Sequence, residues 1–93
     1  MKPYRWNQEK NDWLREFRGV TFDEVVEAIK NDGLIAVVNH ANAERYPGQR
    51  ILIVRVRDYV YGVPYVESVE AIFLKTVFPS RKLTRHYLEG REE

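Results

Sequence analysis

The sequence predicts one α+β domain: an antiparallel sheet with helices packed on one face, in the order β-α-α-β-β-β-β-α. Three observations predict it. A capped, amphipathic helix signal stands at residues 21–30. Four apolar or alternating segments follow between residues 34 and 78, separated by short gaps that favour antiparallel hairpins. The chain has 93 residues, enough for a single modest core that buries roughly 60–65% of the unfolded surface.

The elements follow in order. Residues 4–6 read as a short first strand. Asn7 is a good N-cap for a helix over about 8–17, with Glu9 in its first turn favoured by the helix dipole. Trp13, Leu14 and Phe17 fall on one face of that helix, and Gly19 supplies its stop. Thr21 with Glu24 three residues on makes a capping box, and Val20 and Val25 hold the positions of a hydrophobic staple. Phe22, Val25, Val26 and Ile29 recur at i, i+3, i+4 and i+7, the stripe of a core-facing helix that Gly33 ends. Leu34–Asn39 is an apolar, β-branched run. The tract HANAERYPGQ is a polar loop with a Pro-Gly turn. Residues 51–57 alternate, with Leu52, Val54 and Val56 opposite Ile51, Ile53, Arg55 and Arg57. Residues 59–66 put Tyr59, Tyr61, Val63 and Tyr65 on one face, and Pro64 calls for an edge or a bulge. Residues 71–78 form the last expected strand, with Ile72, Leu74, Thr76 and Phe78 opposite Phe73, Lys75 and Val77. Pro79-Ser80 stops it and caps a final helix, Arg81–Leu88.

Composition removes several function classes. The absence of cysteine excludes a disulfide scaffold and a thiolate zinc site. Two histidines, His40 and His86, argue against a multi-histidine metal site. No apolar run approaches the roughly 20 residues that span a bilayer. The opening MKPYRWNQEK has no apolar signal-peptide region, so the expectation is a soluble cytoplasmic protein. No glycine-rich phosphate loop or nucleophile elbow is present, and Glu67 and Glu70 read as solvated turn residues. No cofactor or metal is expected.

The net charge of +1 hides a sorting of charge. Residues 20–32 hold Asp23, Glu24, Glu27 and Asp32 against Lys30 alone. Residues 45–57 hold Arg45, Arg50, Arg55 and Arg57 with no acid. Residues 71–88 hold Lys75, Arg81, Lys82 and Arg85, again with no acid. A basic surface is the electrostatic footprint of nucleic-acid binding. Arg55, Arg57, Tyr59, Tyr61, Lys75, Arg81, Lys82 and Arg85 form a basic and aromatic set that suits RNA: cations hold phosphates and tyrosines stack on splayed bases. The same set suits metal-independent RNA cleavage, where the 2′-hydroxyl attacks and the protein orients it and stabilises the charged phosphorane. Strand tyrosines in packing and strand arginines on a solvated face are the structural alternative. His86 is either a surface residue or a proton carrier beside Arg81 and Lys82. His40 reads as a loop histidine bonded to local backbone, and Ser80 as a helix cap. A non-catalytic module that binds a partner protein or nucleic acid is the alternative function. A DNA-associated accessory role is disfavoured, because no helix carries the polar pattern of a recognition helix.

Three stretches resemble the BrnT-type ribonuclease toxins. YRWNQEKN is similar to the family's opening, RGVTFDEV to its segment at the second helix, and PSRKLTRHYL to its segment entering the last helix. Arg81, Lys82 and Thr84 match the last in register. The resemblance implies a RelE-like fold and the toxin half of a bacterial type II toxin–antitoxin pair, which cleaves RNA without metal and blocks translation. It implies a cognate antitoxin with a ribbon-helix-helix DNA-binding domain, through which alone operator DNA is reached. Carried over by position, it implies functional roles for Trp6, Lys10, Arg50, Arg81 and Lys82, although Trp6 also suits a core position. The expected catalytic set is then Arg81, Lys82, Arg50, Lys75, Tyr61 and His86, with Lys10, Arg55, Arg57 and Arg85 holding RNA. The chain departs from the family pattern at Phe17-Arg18-Gly19, where many relatives have Lys-His-Gly. Arg18 there is a candidate phosphate ligand. It departs again at Lys75-Thr76, where many have an arginine in the last strand, and in the tyrosine-rich tract DYVYGVPYVES.

Overall fold

Local capping chemistry starts both early helices. The structure, a computed structural model, describes residues 2–40, 42 and 44–88. After a two-residue strand β1 (Tyr4–Arg5), the Asn7 side chain accepts the Lys10 N–H at 2.9 Å and opens α1 (Gln8–Arg18). Gly19 closes α1 at φ 66°, a left-handed conformation that costs glycine no Cβ clash. Thr21 opens α2 (Phe22–Lys30) with both halves of the expected capping box present. Val20 and Val25, the staple pair, are fully buried. Beyond the C-cap Asn31, a Cβ on Gly33 would meet the Ala28 and Arg55 carbonyl oxygens at 2.7 Å each. Only glycine lets the chain leave α2 so close to the sheet.

One reading of α1 needs correction. Leu14 and Asn11 are its buried residues, whereas Trp13 and Phe17 are exposed. Asn11 earns its place by polar bonding, since its amide oxygen accepts the Phe22 N–H at 2.7 Å and its amide nitrogen donates to Asp23.

The sheet comprises β2 (Leu34–Asn39), β3 (Arg50–Val56), β4 (Tyr59–Glu67), β5 (Ile72–Leu74) and β6 (Phe78–Pro79), together with β1. Its order is β1-β5-β4-β3-β2, with β6 also on β4. The sheet is mixed rather than antiparallel, because β1 pairs parallel with β5. β1 and β5 are joined by most of the chain, so no tight turn dictates their relative direction. The remaining pairings are antiparallel, as the short gaps require.

The expected strand over 71–78 is two short strands. Tyr65 faces Leu74, and Gly62 faces Phe78. Three steps along β4 are therefore matched by four on the other side, and the extra residue breaks the ladder at 75–77. This reverses the alternation: Val77 joins Leu74 in the core, while the Phe78 ring covers Gly62, where a Cβ would lie 2.4 Å from it. Pro64 sits in a central strand, paired with Ile51, and its carbonyl accepts the Lys75 N–H at 2.8 Å. Its missing N–H faces the interrupted side of the ladder, so the central position is tolerated.

Leu14, Val20, Phe22 and Val25 pack on Leu52, Val54, Val56, Val63, Tyr65, Leu74 and Val77, with Trp6 and Tyr61 half-buried at the margin. The Trp6 ring stacks on Phe22 at 5.6 Å, a core-margin position. The final helix α3 (Arg81–Leu88) contributes nothing to that cluster. It follows the β4 edge instead. Ser80 donates its N–H to the Val60 carbonyl, and the Thr84 hydroxyl accepts the Val60 N–H at 2.9 Å. Helices therefore do not all share one face. Ser80 is the α3 cap, its hydroxyl accepting the Leu83 N–H. No helix among the described residues is long and apolar enough to cross a membrane.

Candidate functional site

Arg57 is the hub of a polar cluster that joins separate elements. It lies in the tight turn between β3 and β4 with φ at 57°. A non-glycine residue held in the left-handed region costs about 1 kcal/mol or more and needs support from its surroundings. That support comes from α2. The Arg57 guanidinium is ion-paired and hydrogen-bonded to the Glu24 carboxylate, and its second nitrogen reaches toward the Gly19 carbonyl at 3.5 Å. The Tyr61 side chain lies beside the same guanidinium, and its ring meets Tyr59 edge-on at 5.6 Å. Next to this group, Arg18 donates to the Val77 carbonyl and ties the end of α1 to the break between β5 and β6. Arg57 nevertheless keeps 59% of its side chain exposed.

The electrostatics are mutual. Burial alone raises the Glu24 carboxyl, but the Arg57 hydrogen bond and charge, with the Thr21 bonds, outweigh it and hold the group below its ordinary 4.5. The Glu24 hydrogen bond in turn raises Arg57. A carboxyl lowered in the folded state stabilises the fold above its ordinary pKa, and that contribution disappears as pH falls through the folded value. The wild-type melting temperature is therefore expected to fall further than that of Glu24→Gln between pH 6 and pH 3. Equal slopes in parallel thermal melts would sink this account.

The other expected residues scatter around this hub. Arg55 is held by the Arg57 carbonyl at 3.0 Å and by Asp58, and it lines a hollow of about 280 Å³ with Arg57, Asn31 and Asp32. The backbone bond from Ser80 to Val60 starts α3 beside the Tyr59–Tyr61 end of β4, with Arg81 and Lys82 as its first two residues. Arg85 lies one turn further along α3. Arg50 opens the seven-residue β3 at its opposite end, about 20 Å from Arg57 at the usual rise per residue. Lys75 places its ammonium 5.4 Å from the Phe73 ring. His86 sits in the last turn of α3 with its ring against Tyr87 at 4.7 Å. His40 accepts the Asn42 N–H through Nδ1 and packs on Tyr46, so it is a locally bonded loop residue; residues 41 and 43 of that loop lie outside the described ones. Glu67 is paired with Lys2 at 2.6 Å, and Glu70 is exposed.

Two features escaped the sequence reading. Glu24 reads there as a helix cap and one of the acids of residues 20–32, because its second partner is 33 residues away. Trp13 forms an exposed platform with Lys10 at 4.1 Å and Arg18 at 5.0 Å over its ring, and Phe17 beside it at 5.5 Å. The i−3, i+4 and i+5 spacing of Lys10, Phe17 and Arg18 about Trp13 is the signal that could have revealed it. A separate groove of about 650 Å³ runs between β1 and α2, with apolar walls from Pro3, Tyr4, Trp6, Val26 and Ile29 and with Lys2 and Lys30 at its lining. Among the described residues no group of three or more His, Asp or Glu is placed to hold a metal ion. No family model matches the chain, and neither does any curated protein or solved structure.

Proposed function

We propose that the chain is a metal-independent endoribonuclease, the toxin of a type II toxin–antitoxin pair, acting at the Arg57–Tyr61 end of the sheet. The observation that carries this reading is an exposed arginine, braced by Glu24 of a separate helix, with a tyrosine beside its guanidinium. The resemblance of the three sequence stretches to BrnT-type toxins supports the same reading.

The chemistry needs little machinery. The 2′-hydroxyl oxygen bonds to the adjacent phosphorus, the bond from phosphorus to the 5′-oxygen breaks, and a 2′,3′-cyclic phosphate and a 5′-hydroxyl form. One proton leaves the 2′-oxygen and one reaches the 5′-oxygen. Arg57 stabilises the charge that develops on the phosphorane oxygens. Tyr61 is the group beside it that can exchange a proton. Glu24 is a positioning residue, which holds Arg57 in one orientation. Arg18, Arg81 and Lys82 hold neighbouring phosphates. In this reading the protein works in the cytoplasm, blocks translation, and is restrained by an antitoxin with a ribbon-helix-helix domain.

A second reading, a non-catalytic nucleic-acid-binding module, is favoured by the Trp13 platform, since base stacking on an aromatic flanked by cations needs no chemistry. Tightly controlled expression in bacteria separates the two. The first reading expects growth arrest and RNA fragmentation with wild type, relieved by the paired change Arg81→Ala, Lys82→Ala. Normal growth and intact RNA with wild type would overturn it. Salt-sensitive RNA affinity without cleavage products is the outcome of the second.

A further inference from the structure

β2 ends the sheet on one side and pairs only with β3. Leu34, Ile35, Val37 and Val38 along it are each 36–39% exposed. Exposed edges in soluble proteins are ordinarily blunted by lysine, proline or covering segments. From Gly33 to Asn39 this edge carries no charge and no proline.

Its hydrogen-bonding side is readable from the ladder. The His40 N–H donates to the Gln49 carbonyl, and Val38 and Ala36 face Ile51 and Ile53 in the same register. Antiparallel ladders alternate, so Ala36, Val38 and His40 spend their backbone groups inward. Val37 and Asn39 point theirs outward, past the sheet. Leu34 and Val37 face Val54 and Leu52, so they extend the helix-covered face, while Val38 extends the other.

We infer that β2 is a homodimer interface, in which two copies pair β2 edge to edge and antiparallel about a two-fold axis at Val37. Three features select a second copy as occupant. A two-fold contact needs a self-complementary patch, and an uncharged aliphatic strand meets its own copy without like-charge repulsion. The register places Ala36 against Val38 and Val37 against its mate, which keeps aliphatic side chains together on each face. The ends are complementary in charge. Asp32 precedes the strand and Arg45 and Arg50 follow it, and among the described residues none of the three has an ion-pair partner. Antiparallel pairing carries Asp32 of one copy to the His40–Arg45 end of the other. The contact is one short strand per copy, at the low end of specific interface sizes, so a weak, concentration-dependent dimer is expected.

Sedimentation velocity from about 5 µM to about 500 µM should move the full chain from its 11.1 kDa monomer toward twice that mass. Val37→Lys should keep it monomeric with an unchanged circular dichroism spectrum. The chain has no cysteine, so Val37→Cys reports the axis directly: a short bis-maleimide should link two copies at 37, and should not at the 91%-exposed control Val69→Cys. In hydrogen exchange, which needs no variant, the Val37 and Asn39 amides should gain protection with concentration while Val38 is protected throughout. A chain that stays monomeric over this range overturns the inference. So does a dimer that ignores Val37→Lys and does not crosslink at 37, because its interface would lie elsewhere.

Discussion

Truncating Phe22 to alanine is expected to remove about 3–5 kcal/mol of stability. Phe22 is fully buried, stacks with Trp6 and is among the largest side chains in the core. It is also the first residue of α2, so it helps dock that helix onto β3. A domain of this size has about 5–15 kcal/mol in total, so the loss is a large share. Denaturant titration at constant slope measures it. Phe17→Ala is the contrast. Phe17 is 64% exposed, and its loss should stay within about 0.5 kcal/mol. Similar costs for the two changes would contradict the placement of α1 and α2 on the sheet.

The second large effect concerns the proposed chemistry. If RNA is cut beside Arg57, Arg57→Ala should slow single-turnover cleavage by roughly 10²–10³-fold, the usual cost of losing one preorganised charge donor. Tyr61→Phe should slow it by roughly 10²-fold or more, as for loss of a proton-transfer group. Glu24→Gln should fall between wild type and Arg57→Ala, since it loosens the guanidinium without removing it. Arg15→Ala is a suitable control: Arg15 is a surface arginine paired with Asp12 on α1. A protein silenced by Arg50→Ala but not by Arg57→Ala would move the site to the other end of β3, where Arg50 is one of the residues that the family resemblance implies.

Much of the architecture was legible because its causes are local. The Thr21 box, the Val20 and Val25 staple and the stripe of Phe22, Val25, Val26 and Ile29 specify α2 within one stretch of chain, and the structure builds it there. The alternation of Leu52, Val54 and Val56 with Arg55 identifies the buried face of β3 by the two-residue period alone. Ser80 and His40 were also readable, since each bonds to backbone two or three residues away. The readings that changed depend on distant partners. Trp13 and Phe17 share apolar character with Leu14, but only the sheet beneath α1 decides which of them it covers.

The sequence by itself thus determined the helices, the faces of β3 and β4, the helix caps and the charge sorting, because periodicity and capping act over a few residues. Only the tertiary structure decided that β1 runs parallel to β5, that the ladder breaks at 75–77 opposite Pro64, and that the β2 edge stays open. It alone joined Glu24 to Arg57 across 33 residues and separated Arg50 from Arg57 along one strand. The physical reason is the same in each case. Strand pairing and ion pairing across elements are selected by which surfaces meet after the chain has collapsed, and no local pattern records that meeting.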